Sequence, residues 1–146
     1  MRPRLHFWVG VLGLLAFLGT GHYMDHVHHH LADMPDGRRM LFRSTHIYIL
    51  LASVTNLGMS YCHPRLRGAT PIAAESNSPA ERFFRALVSG IVLSAPLLFL
   101  LGFMTEPFGE SLTRGWSRLS AYLLFGTAVF IVLEALYSRV SRLWRS

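Results

Sequence analysis

The sequence predicts an all-α integral membrane protein, a single domain over 1–146 in which four transmembrane helices form a bundle of two helical hairpins. Hydrophobic residues make up 51% of the chain and charged residues only 15%, against roughly 25% charged residues in an ordinary soluble domain. Four long apolar runs are separated by polar segments, and about 20 helical residues cross a bilayer core. A soluble bundle would need a polar stripe on every helix, which the first and third runs lack.

The first predicted span covers 5–24, "LHFWVGVLGLLAFLGTGHYM". Its length suffices for a membrane crossing. The run is long for the apolar part of a signal peptide and no small-x-small cleavage motif follows it, so we expect a retained helix. Small residues recur at steps of three, which favours close approach of a neighbouring helix. They are Gly10, Gly13, Ala16 and Gly19.

The second predicted span covers 43–62, with Arg43 extending its side chain toward the interface. Polar residues at helical spacing share one face of this span. They are His46, Ser53, Asn56 and Ser60. Two interpretations remain open: these groups form hydrogen bonds with neighbouring helices, or they line a polar path that continues inward from His46.

A segment rich in Pro, Ala and Ser at 63–81 predicts an irregular cytoplasmic loop between the two hairpins. The third predicted span follows at 84–104. It contains Pro96, which should kink the helix or mark a point where backbone carbonyls face a cavity.

The fourth predicted span covers 119–140 and contains Glu134, which is the only acidic residue inside a predicted span. Ionisable groups within membranes are costly unless they find a partner. We therefore expect either an interfacial ion pair with Arg139 or Arg142, or a carboxylate that carries a proton.

The arginines predict the orientation. All fourteen basic residues are arginine; with the N-terminus inside, nine lie in cytoplasmic segments and five outside. This bias predicts that both termini are cytoplasmic, as in a bacterial inner-membrane protein. The net charge of +6 does not indicate nucleic acid, because the arginines flank the apolar runs in ones and twos. Anionic lipid headgroups are the simpler partner.

The segment 21–30, "GHYMDHVHHH", contains five of the eight histidines. If the first helix continues to about Ala32, three of these histidines lie on one line, and the same side of the membrane also receives His46 and Glu106. Imidazole nitrogens bind Zn, Cu, Ni and Fe(II). The segment thus predicts a transition-metal site or, with His46 as a second axial ligand, a haem site. The alternative is an ordinary polar helix end. The candidate ligands are His22, His26, His29, His30, His46 and Glu106.

Two short segments resemble parts of known membrane enzymes. The segment 26–30 is similar to the H-x-x-H-H box of membrane di-iron hydroxylases and desaturases, which also have four spans. That family uses several separated boxes, whereas His6, His46 and His63 are isolated here. The segment 81–86 resembles the E-R-x-x-R-A motif of four-span membrane glutathione-metabolism proteins. The asparagine and glutamate that should follow are replaced by "LVSG", so the chain is assigned to neither family.

Three functional hypotheses follow. The first is a small accessory or binding protein without catalysis, in contact with the lipid bilayer and with a larger membrane complex or further copies of itself. The second is a metal- or haem-binding membrane protein. The third is a membrane enzyme of di-iron or glutathione type. No nucleotide-binding or hydrolase motif occurs in the sequence, and enzymatic activity is left open.

Overall fold

The computed structural model describes residues 3–32, 34–68, 79–109 and 114–143, and over these residues the chain is all-helical without strands. The helices are α1 (Pro3–His26), α2 (Asp36–Gly68), α3 (Pro79–Thr105) and α4 (Gly115–Leu143). Short 3-10 turns follow α1 and α3, at His29–Leu31 and Glu106–Phe108. The all-helical prediction is confirmed. Two segments, Pro3–His26 and Arg82–Phe108, are long and apolar enough to cross a membrane by length and composition.

The helices pack mainly in chain order, α1 on α2, α2 on α3 and α3 on α4. A contact between α1 and α3 closes the first three helices into one group. Contacts of α4 with α1 are sparse, so α4 lies at the edge of the bundle. This order is the expected result of short connections between antiparallel helices.

The end of α1 lies close to the end of the predicted span, but the continuation that a metal site on one helical line would require is absent. The helix stops at His26 and does not continue to Ala32. The chain then turns through His29 and Leu31, whose φ angles of 44° and 63° lie in the left-handed region. This turn buries Leu31, which is 2% exposed, in the apolar core beside Phe42. Burial of a leucine contributes about 1.5–3 kcal/mol, which offsets much of the cost of the left-handed backbone.

The predicted loop at 63–81 is helical at both ends, because α2 continues to Gly68 and α3 begins at Pro79. Residues 69–78 lie outside the described part of the chain. With 33 residues α2 is about 50 Å long. It therefore exceeds the roughly 30 Å thickness of a hydrocarbon core, and its first turns and last turns extend beyond the predicted span.

The interior contains polar side chains beside an apolar core, and many further large apolar side chains lie on the outside. The buried polar residues are His6, Thr20, Thr45, Ser53, Asn56, Ser89, Glu106, Ser117, Ser120 and Thr127. Every helix carries exposed large apolar residues; examples are Leu12, Leu15 and Leu18 on α1, Ile47, Leu51 and Val54 on α2, Phe83, Leu97 and Leu101 on α3, and Leu119, Tyr122 and Phe125 on α4. Helices at the surface of a soluble protein expose a mainly polar face, so this much exposed apolar surface on every helix is unusual for a soluble protein.

Candidate functional site

A polar network joins α1, α2 and α3 inside the bundle, and Asn56 is its centre. The Asn56 side chain is fully buried, and its amide nitrogen donates to the carbonyl oxygens of Ala52 (3.0 Å) and Val92 (2.7 Å). Its Oδ1 lies 2.9 Å from Nδ1 of His6, and Nε2 of His6 lies 2.8 Å from Oγ of Ser89. We call these contacts the Asn56 network.

Pro96 explains why α3 needs a donor from another helix. Proline has no backbone N–H, so the carbonyl four residues earlier loses its partner within the helix. That carbonyl belongs to Val92, and it is the group that accepts from the Asn56 amide. The sequence predicted a kink or a carbonyl that faces a cavity, whereas the released Val92 carbonyl is bonded to a side chain. The carbonyl faces a buried side chain of α2.

The hydrogen bonds of Asn56 determine the tautomer of His6. Both donor hydrogens of the amide are used by carbonyl oxygens, so Oδ1 accepts and Nδ1 of His6 donates. In the neutral imidazole Nε2 is then an acceptor, and the hydroxyl of Ser89 donates to it. His6 is 1% exposed, and both of its ring nitrogens have partners. The network is complete without an ion or a ligand, so it orients helices.

His6 was missed as a functional residue because the sequence places it alone near the N-terminus. A signal was present in its spacing. The residues of α1 that contact or face α2 recur at steps of four and three, which is the spacing of a packed helix seam. They are His6, Gly10, Gly13, Phe17 and Thr20. Because His6 lies on the same helix face as the buried Gly10 and Gly13, this spacing indicates that His6 is also buried in a helix contact.

The polar face predicted on α2 packs against α1. Ser53 is fully buried and donates to the carbonyl oxygen of Ile49 (2.6 Å), and its Oγ lies against Gly13. His46 stacks on Phe17 with ring centroids 4.1 Å apart, and its Nδ1 lies 2.9 Å from Oγ1 of Thr20. These contacts favour the interpretation of the face as a helix–helix interface over that of a polar lining.

The outer histidines do not gather around one point. The rings of His22 and His26 are neighbours, with centroids 3.9 Å apart, and Nδ1 of His26 lies 3.5 Å from Oδ2 of Asp25. His28 instead packs on Tyr23 and Phe42. Because α1 ends at His26, His29 leaves the helical line on which the prediction depended. The structure does not describe the side chains of His30 and Glu134. Among the residues that it does describe, no group of three or more potential metal ligands occurs.

Glu106, a predicted ligand, has a structural partner. The residue is 6% exposed, and its carboxylate accepts hydrogen bonds from the backbone N–H of Ser117 (2.8 Å) and from the hydroxyl of Ser117 (2.5 Å). Ser117 lies in the first turn of α4, where backbone N–H groups have no helical acceptor. A carboxylate there also interacts favourably with the helix dipole. Glu106 thus fixes the start of α4 against the end of α3.

We expect Glu106→Ala to lower the free energy of unfolding by about 1–2 kcal/mol, the usual effect of losing a helix N-terminal cap. Glu106→Gln should cost less, since its amide oxygen still accepts from Ser117 N–H. Thermal unfolding in detergent measures both changes. Thr105→Val is the matched control, because the exposed hydroxyl of Thr105 bonds only within its own helix. A Glu106→Ala variant as stable as the control would contradict this role.

Comparison of the chain with protein-family models, with curated proteins and with solved structures gives no match, so the functional argument depends on the geometry described above.

Proposed function

We propose that this chain is a multi-pass integral membrane protein with four spanning helices that serves as an accessory or binding protein. The observation that carries the proposal is the exposure of large apolar side chains on all four helices, while polar groups of the same helices are buried and paired inside. Lipid is the solvent in which such a surface is stable, since helices satisfy their own backbone groups there. In water the same surface would drive aggregation.

By length and composition, and among the described residues, only α1 and α3 contain segments apolar enough to cross a membrane. The exposed faces of α2 and α4 support the same assignment for these two helices. On α2, exposed residues at steps of three and four form one apolar stripe, Ile47, Leu51 and Val54. On α4 the corresponding stripe is Leu119, Tyr122, Phe125, Val129 and Val132. Each stripe lies within a predicted span. Within the predicted span 43–62, Thr45, Ser53 and Asn56 lower the mean hydropathy, and all three are buried.

An accessory or binding role fits the state of the interior. The groups of the Asn56 network form hydrogen bonds within that network, and Glu106 forms its hydrogen bonds with Ser117. These groups stabilise the packing of the helices. The position of α4 at the edge of the bundle leaves an apolar face for lipid or for a neighbouring membrane subunit. The bacterial inner membrane is the proposed location, with both termini cytoplasmic.

Reporter fusions test the topology. A reporter at Ser146 should be active in the cytoplasm, and one inserted at 33–39 should be active in the periplasm, because nine arginines lie in the segments assigned to the cytoplasmic side and five on the other. Periplasmic activity at Ser146 would refute the orientation and the number of spans.

A second candidate function is metal binding by His22 and His26, and one contact favours it. The two rings are adjacent on α1, and the carboxylate of Asp25 beside Nδ1 of His26 leaves Nε2 as the free ligand nitrogen. Two imidazoles with open coordination positions suit Cu(II), Ni(II) or Zn(II). Haem fits less well, because His46, its proposed second ligand, is stacked on Phe17 and bonded to Thr20.

Calorimetric titration of the detergent-purified protein with Zn(II) tests this candidate. We expect His22→Ala and His26→Ala each to abolish binding, and binding to weaken in acid because a protonated imidazole has no free electron pair. His29→Ala is the control, since His29 is exposed and lies outside the helix. Absence of binding in the wild type, or its loss only in the His29 variant, would refute the pair as a site.

A further inference from the structure

We propose that His22 and His26 form one half of a zinc site and that a second copy of this chain supplies the other half. Both side chains are exposed at the end of α1, and their ring centroids lie 3.9 Å apart. Residues four apart share one face of a helix. The proposal rests on the metal-binding candidate described above, and it adds the stoichiometry of the site and the partner that completes it.

A pair of histidines leaves the coordination shell of zinc incomplete. Structural zinc sites are almost always four-coordinate and tetrahedral, whereas the pair offers two imidazoles. In the part of the chain that the structure describes, no group of three or more potential metal ligands occurs. Two imidazoles from an identical pair complete the four-ligand shell.

Insertion in one membrane orientation brings identical pairs to the same depth. Copies that share the proposed topology are related by rotation about an axis along the membrane normal, so their α1 helices run parallel. His22 of each copy then lies at one depth, and so does His26. The first predicted span ends at residue 24, so the two pairs meet at the membrane surface, where aqueous zinc has access.

The outer face of α1 has the spacing that such a contact requires. Its exposed residues alternate between steps of four and three, the spacing of residues that two parallel helices bury between them. We call these residues the outer α1 stripe: Trp8, Leu12, Leu15, Gly19, His22 and His26. The stripe contains no Asp, Glu, Lys or Arg, so contact with itself across a two-fold axis brings no like charges together. Nothing lies within 4 Å of a Cβ at Gly19, which leaves room for close approach of a second helix.

Zinc, and not the apolar part of the stripe, drives the association. Lipid tails are as apolar as leucine, so the stripe gains little by exchanging lipid for a second helix. Exposed apolar faces also occur on α2, α3 and α4, and the histidine pair distinguishes the face of α1 from them. We therefore expect a monomer whose α1 faces lipid in the absence of metal, and a dimer in its presence.

Native mass spectrometry of the full chain in detergent tests the proposal, with Zn(II) alone as the probe. We expect one zinc ion per two chains, and removal of the ion with EDTA should return the monomer. His22→Ala and His26→Ala should each abolish the zinc-dependent dimer. His29→Ala is the control and should leave it unchanged, because His29 lies beyond the end of α1. One ion per single chain, or a zinc-dependent dimer in His22→Ala, would overturn the proposal.

A nitroxide label locates the contact on the outer α1 stripe. Labels attached at Leu12→Cys, in a chain with Cys62→Ser, face each other across the two-fold axis. In bilayers, Zn(II) should broaden their spectrum through dipolar coupling, and EDTA should reverse the change. Phe125→Cys is the matched control, because Phe125 is exposed on α4 at the edge of the bundle. Absence of zinc-dependent broadening for the label on α1 would overturn the proposed contact.

Alkaline extraction and the zinc stoichiometry separate this proposal from the proposed function. Release of the wild-type chain from native membranes into the soluble fraction refutes the membrane assignment. Absence of zinc binding refutes both the metal-binding candidate and the paired site. Zinc bound to a monomer that stays with the membrane refutes only the paired site.

Discussion

Asn56→Leu should lower the free energy of unfolding in detergent by about 2–4 kcal/mol, since it leaves two buried polar groups without partners at about 1–3 kcal/mol each. One is Nδ1–H of His6, and the other is the Val92 carbonyl that Pro96 has released from its own helix. Leucine has the same branched shape as asparagine but is larger, so overpacking at this buried position adds to the loss of the hydrogen bonds. Denaturant titration monitored by circular dichroism gives the difference.

The coupling between Asn56 and Pro96 distinguishes this explanation from a general loss of polar contacts. Pro96→Ala restores a backbone N–H that can donate to Val92, so Asn56→Leu should cost less in the Pro96→Ala background than in the wild type. Thr55→Val is the control on the same helix, because the hydroxyl of Thr55 bonds only to Leu51 in its own helix. If Asn56→Leu is as stable as that control, or if its cost is the same in both backgrounds, the proposed role of Asn56 is wrong.

Gly13→Ala should destabilise the bundle by about 1–3 kcal/mol, the usual cost of overpacking a well-packed interior. A Cβ at this position would overlap Oγ of Ser53 and would also lie 3.5 Å from Cβ of Pro96. Ser53 is fully buried, so α1 and α2 would have to separate to accept even one methyl group. The loss should appear as a lower midpoint of thermal unfolding in detergent.

Gly19→Ala is the matched control on α1, because nothing lies within 4 Å of the added Cβ. Alanine has the higher helix propensity by about 1 kcal/mol, so this variant should be as stable as the wild type or slightly more stable. Ser53→Ala should recover part of the loss in Gly13→Ala, since the overlapping oxygen is then absent. Equal stability of the Gly13 and Gly19 variants would show that the helices are not in close contact at Gly13.

The sequence predicts the number and approximate position of the helices because apolar length and Pro and Gly placement are local properties. The start of α2 was predicted less well, because its first turn is polar and carries Asp36. The end of α1 lies within two residues of the predicted span, but the continuation to Ala32 assumed for a metal site is absent. No glycine or proline marks this end, and the turn that follows places Leu31 in the apolar core, a contact that depends on tertiary packing.

The contacts of individual side chains were harder to predict. Spacing identified the polar face of α2, yet the partner of Asn56 on α1 depends on the register between two helices, which no local pattern specifies. The metal-site prediction treated residues on one side of the membrane as neighbours. In the structure Glu106 bonds to Ser117, and His46 packs on Phe17. Placement on the same predicted side of the membrane did not determine which side chains contact one another.

The central claim is that the apolar surfaces of all four helices face lipid, and spin-label accessibility measures this directly. Single cysteines replace Leu12, Val54, Leu97 and Phe125, one exposed residue on each helix, in a chain with Cys62→Ser. Arg38→Cys serves as the aqueous control. After reconstitution into bilayers, all four labels should be relaxed strongly by oxygen, which partitions into lipid, and weakly by a water-soluble nickel chelate. Strong relaxation by the nickel chelate at the positions on α2 or α4 would contradict the four-span account.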